Sequence, residues 1–180
     1  MEELYLVLEN GMVFKGKPFG HRAEVTAEIV FATGMTGYLE TLTDPSYFGQ
    51  IILQTFPLIG NYGVIPEDFE SGKIFASGYI VRDLCREPSN FRSRGQLDEL
   101  LKEHKVVGLY GIDTRALTKI IRESGVMNGC ITADPASVNL SALRSYRIKG
   151  AVAAVSTKEK YRAEVADPLF KVALIDAGAK

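Results

Sequence analysis

Cysteine is nearly absent from this chain: only Cys85 and Cys130 occur in 180 residues, far apart in sequence. That excludes a disulfide framework and predicts the reduced thiols of a cytoplasmic protein. Histidine is as scarce, with only His21 and His104. These four soft ligands lack any C-x-x-C or H-x-x-x-H spacing, so no metal site is expected. There is no G-x-x-x-x-G-K-[ST] loop and no G-x-G-x-x-G, which leaves phosphate cradling without a motif. No apolar run approaches the roughly 18 residues that a bilayer span needs. The amino terminus, MEELYLVLEN, opens with two acids and lacks the basic and apolar regions of a secretory signal. Nor is one sign of charge in excess: 21 Lys and Arg stand against 22 Asp and Glu. A net charge of −1 gives no reason to expect a nucleic-acid or membrane partner.

What is present is ordinary globular composition, 46% hydrophobic and 24% charged. The length suits one domain with the start of a second, long enough to bury about two-thirds of its unfolded surface. Strand-like runs cover residues 4–9 and 12–15 around Asn10-Gly11, the dipeptide a two-residue type I′ hairpin favours. Further runs cover 26–33, 50–56, 73–82, 106–110 and 129–132, with Pro57, Gly60, Gly63 and Pro66 between them. Ser93 and Gln96 fit a capping box ahead of Leu97, Leu100 and Leu101. A second helix is expected between the cap Asp113 and Gly125, with Ala116, Leu117, Ile120 and Ile121 on its apolar stripe. A third runs from about residue 138 to 146. The charged segment 157–170 reads as a linker, and KVALIDAGAK at 171–180 as an apolar strand. That strand either opens a further domain or adds to this domain's own sheet.

The candidate chemistry is sparse. A thiol enzyme would need Cys85 or Cys130 beside a base, and neither stands in a nucleophile elbow. Cys130 reads as a buried small hydrophobe, whereas arginines near Cys85 in RDLCREP could lower its pKa. RDLCREPSNFRSR (82–94) holds four arginines, readable either as a solvated face of local ion pairs or as a docking surface. Arg115 reads as a partner for the cap Asp113. In TGYLETLTDPSYFGQ (36–50), Asp44-Pro45-Ser46 has turn chemistry. It places the Ser46 hydroxyl at an exposed tip, with Tyr38 and Tyr47 as apolar support. The residues alone specify a binding loop without a reaction.

The order of these stretches resembles one family. MTGYLETLTDPSY (35–47), QTFPLIGNYG (54–63), SGYIVRD (77–83), PSNFR (88–92), GIDTRALTKIIRESG (111–125), NGCIT (128–132) and VSTKEKY (155–161) are similar to the small subunit of glutamine-dependent carbamoyl-phosphate synthase. The resemblance implies a layered β/β/α fold of mixed α/β class over residues 1–156. It makes 157–170 the linker and 171–180 the first strand of a class I glutaminase domain outside these residues. It implies that Ser46 contacts the substrate glutamine, as a positioning group and not as acid, base or nucleophile. The catalytic Cys, His and Glu would belong to the glutaminase domain, leaving this segment inactive alone, with no catalytic residue, cofactor or metal of its own. ATP and Mg²⁺ would bind a large subunit, the expected partner, which makes carbamoyl phosphate from bicarbonate for arginine or pyrimidine synthesis. One departure is IKGAVAAV at 148–155, less charged than the family pattern leads one to expect. Two other readings compete: a free-standing interaction module derived from the same family, and an enzyme centred on Cys85.

Overall fold

The computed structural model describes residues 3–162 and 164–178. Nine strands and five α-helices follow one another along it. Seven of the strands close a barrel: β1 (Leu4–Leu8), β2 (Val13–Gly20), β3 (Val25–Ala32), β4 (Ile51–Gln54), β6 (Gly78–Val81), β8 (Val107–Tyr110) and β9 (Met127–Thr132). The order around it is β1-β2-β8-β6-β4-β3-β9. The run β3, β4, β6, β8 is parallel, with Ile29 opposite Ile51, Ile52 opposite Tyr79 and Tyr79 opposite Gly108. Strands β1, β2 and β9 join it antiparallel, and β1 to β9 pairing places Leu6 opposite Ile131. Two short strands, β5 (Leu58–Ile59) and β7 (Asp83–Leu84), pair separately.

Parallel strands buried on both faces read as continuous apolar runs rather than alternating ones. All four residues of β4, IILQ, and all four of β6, GYIV, are buried for that reason. Ile51, Leu53 and Ile80 point into the barrel with Leu6, Leu8, Ile29, Leu109 and Ile131. Ile52, Tyr79 and Val81 point outward into a second core. Helices α1 (Tyr38–Thr43) and α2 (Leu97–Glu103) close that outer core with Leu39, Leu42, Leu97 and Leu101. Helix α3 (Thr114–Ser124) stops the barrel interior with Leu117 and Ile121. Burying each of these side chains stabilises by about 1.5–3 kcal/mol. The result is a sheet-dominated, layered, mixed α/β fold, as expected.

Several local expectations shift. The turn from β1 to β2 is not the two-residue type I′ form. Leu8 and Met12 are joined backbone to backbone, leaving a three-residue loop in which Gly11 alone has positive φ, at 90°. This is a type I turn followed by a glycine bulge, the next commonest hairpin solution. The capping box at Ser93 does not form, because Arg94 N–H donates to Val64 O and Val64 N–H to Gly95 O. Those bonds tie 94–95 to Val64, so α2 begins after Gln96, with no side-chain cap. The run 73–82 contributes a strand only from Gly78, while Ile74 and Ala76 turn into the outer core. Helix α4 (Leu140–Ser145) lies inside its expected span, capped by Asn139, and α5 (Ala151–Val155) follows in the stretch where the family pattern was least matched.

Candidate functional site

The segment 36–50 is not the plain loop its turn residues suggest. It opens with α1, whose N-cap Gly37 sits at φ 80° and offers no side chain to the free amides of the first turn. A distant phenol does so instead. The Gly37 and Tyr38 N–H groups both donate to the Tyr62 hydroxyl, at 2.9 and 3.0 Å. Tyr38 returns the contact through its own hydroxyl, which donates to Gly63 O at 2.6 Å. The two rings stack 4.1 Å apart at 20°. Burial pushes both phenols above the ordinary tyrosine range, so neither ionises near neutral pH. One buried acceptor in this turn, Glu40 Oε2, has no partner among the described residues.

At the other end of α1, Thr43 is fully buried and serves as an anchor. Its hydroxyl donates to Leu39 O and accepts Glu70 N–H, and its carbonyl accepts the Ser71 hydroxyl. The chain then turns as expected. Asp44 Oδ1 accepts Ser46 N–H at 2.9 Å, Pro45 is buried at the first position, and 45–47 form a single 3₁₀ turn. Gly49 N–H donates to Phe75 O, fixing the exit. Ser46 is the exposed residue on this braced turn, and its hydroxyl has no partner among the described residues. Tyr47 is half-buried and Tyr38 fully buried, so the expected apolar support is present.

Among the described residues, no titratable group hydrogen-bonds to the Ser46 hydroxyl to activate it. The geometry therefore provides a fixed hydrogen-bonding group, not a nucleophile. Beside it, the Ile148 side chain comes within 3.4 Å of where a Cβ on Gly49 would stand, and Gly49 itself has φ 74°. The loop between α4 and α5 thus packs at the exit of this turn. Beyond it, residues 171–176 carry no strand pairing, and Phe170, Val172, Leu174 and Ile175 are exposed.

The thiol reading gains no geometry. Cys85 is half-buried and its Sγ donates weakly to Glu87 O at 3.4 Å, with no base bonded to it among the described residues. Cys130 is buried, and burial raises its pKa away from the reactive thiolate. His104 lies elsewhere, its Nδ1 accepting Ile74 N–H. The four arginines of 82–94 resolve toward local pairing: Arg92 with Asp68, Arg94 with Glu67, Arg82 near Asp83, and Arg86 against Tyr110. Phe91 between them is 97% exposed. Arg115 does not pair with Asp113, whose Oδ1 instead caps α3 by accepting Ala116 N–H at 3.0 Å. Among the described residues, no group of His, Cys, Asp and Glu could hold a metal ion. No described helix is long and apolar enough to cross a membrane. Sequence reasoning missed Tyr62, whose only trace was its place in GNYG, and it missed α1.

Residues 6–131 match the family model described as carbamoyl-phosphate synthase small chain, CPSase domain. The chain belongs to that family. The small chain of Clostridium perfringens (strain 13 / Type A) is 51% identical over 97% of this chain and 50% of its own length. That of Syntrophotalea carbinolica is 46% identical over 97% of this chain and 51% of its own. That of Chlorobaculum tepidum is 47% identical over 97% and 49%. The chain thus spans about half the length of the carbamoyl phosphate synthase small chains it matches. A solved aminopeptidase from Aneurinibacillus sp. strain AM-1 reaches a TM-score of only 0.41 at 16% identity, covering 72% of this chain and 30% of that one.

Proposed function

We propose that this chain is the amino-terminal part of a glutamine-hydrolysing carbamoyl-phosphate synthase small chain, and that its role is to position substrate rather than transform it. The Ser46 hydroxyl contacts glutamine bound in a following class I glutaminase domain, which carries the Cys, His and Glu of hydrolysis. Ammonia passes to a large chain, where ATP and Mg²⁺ drive carbamoyl phosphate formation in the cytoplasm. One observation carries this reading: an exposed hydroxyl, without a partner among the described residues, stands on a turn braced at both ends. A hydroxyl held this way before substrate arrives loses little freedom on binding. The exposed apolar run 172–175, without a sheet of its own, supports the partition into a domain over 1–156, a linker over 157–170 and a strand of the next domain over 171–180.

Glutamine hydrolysis measured on the 180-residue chain and on the full-length protein with its large chain tests the proposal. The segment should release no glutamate, and the complete pair should yield glutamate together with carbamoyl phosphate. Turnover by the segment alone would place the nucleophile within these residues and overturn it.

A further inference from the structure

We infer that the outward face of α3 docks a carboxylate-bearing surface of the large chain, a step that rests on the small-chain reading above. Arg115, Lys119 and Arg122 stand at i, i+4 and i+7, one face of the helix, over about 10 Å of its axis. All three are exposed. They line a groove of about 580 Å³ together with the hydroxyls of Thr33, Thr55 and Thr118. None of the three makes an ion pair or hydrogen bond among the described residues. The one carboxylate on the groove, Asp113, is engaged by the Ala116 amide.

The contrast with the arginine-rich segment 82–94, and the clustering on one helix face, single the groove out. The arginines of 82–94 each have an acid or an aromatic ring against them, in a chain whose net charge is −1. Three adjacent cations left unpaired create a local positive field, the arrangement that steers an acidic partner and suppresses wrong ones. Their spread is far wider than a single phosphate group, so it matches spaced carboxylates on a protein surface.

Position separates this partner from the continuation of the chain. Strand β4 begins just after Gly49, where Ile148 packs, and ends just before Thr55, which lines the groove. The groove therefore lies at the end of the barrel where the parallel strands finish, and the loop between α4 and α5, with Ile148, at the end where they start. Gly178 lies against Val155 of α5, so the last described residues return to that helix. That placement favours a separate chain as the occupant.

The test uses the full-length small chain and its large chain, with association followed by surface-binding kinetics at several salt concentrations. R115A/K119A/R122A should raise Kd tenfold or more, mainly through slower association, and flatten the salt dependence. Alanine favours helix, so the melting temperature of the variant should match wild type. R115K/R122K keeps the charges and should bind nearly as wild type does. Unchanged Kd and salt dependence in the triple variant, with wild type binding normally, overturns the docking surface and leaves the family reading intact. A rise in wild-type melting temperature with inorganic phosphate, absent in a triple variant that still binds the large chain, also overturns it and makes the groove a small-anion site. Failure of wild type to bind the large chain removes the reading and the docking surface together.

Discussion

At the residue scale, the candidate site depends on one phenol that is remote from it in sequence. Tyr62 accepts both leading amides of α1, which no local side chain satisfies. Replacing it with Phe keeps the stacked ring but leaves two N–H groups in a half-buried place without their acceptor. An unmet buried donor costs about 1–3 kcal/mol. Urea denaturation of Tyr62→Phe should therefore show a loss of about 2 kcal/mol, and a loss below a few tenths would mean that water replaces the hydroxyl. Ser46 was legible in sequence because Asp-Pro-Ser carries its turn chemistry in three adjacent residues. Tyr62 was not legible, because a helix cap supplied from 24 positions away leaves no local pattern. The assignment of Arg115 to Asp113 failed for a related reason: the cap carboxylate is committed to a backbone amide, leaving the guanidinium to the groove.

At the element scale, the helices divide by how many local signals agree. In α3 the Asp113 cap, the apolar stripe and Gly125 all specify one span, and that span forms. In α2 the capping-box signal at Ser93 yields to pairing between 94–95 and Val64, a contact no local window contains. Helix α2 is instead tied down by Asp98, whose two oxygens accept Gly20 N–H and Lys102 Nζ–H. Burial opposes the ionised form of Asp98, but these hydrogen bonds outweigh it and hold the carboxyl below its usual range. A depressed folded-state pKa contributes stability above the unfolded value, and that stability is lost as pH falls through the folded value. Chemical denaturation from about pH 6 down to about pH 3 should show Asp98→Asn less stable than wild type at the upper end. The gap should narrow toward the lower end. A gap that stays constant with pH would mean that the charge of Asp98 does not stabilise the fold.

At the scale of the whole molecule, mixed α/β class and most strand positions were readable from apolar runs and Gly-Pro punctuation. Barrel closure was not, since β1 with β9 and β2 with β8 pair residues roughly a hundred positions apart, which no periodicity encodes. The two-sided burial of β4 and β6 follows from that closure and from the second core laid over it. The Ser46 turn and Ile148 share the end where β4 starts, and the cationic face of α3 stands where β4 finishes. The proposed function has the first end meet glutamine and the second a large chain. The glutamine contact is the central claim. Its most direct test is steady-state glutamine hydrolysis by the full-length protein carrying Ser46→Ala, with and without the large chain. A raised KM with kcat little changed is expected, the signature of lost uniform substrate binding across the domain boundary. Wild-type kinetics in that variant would contradict it, leaving the Ser46 side chain without a role in substrate binding.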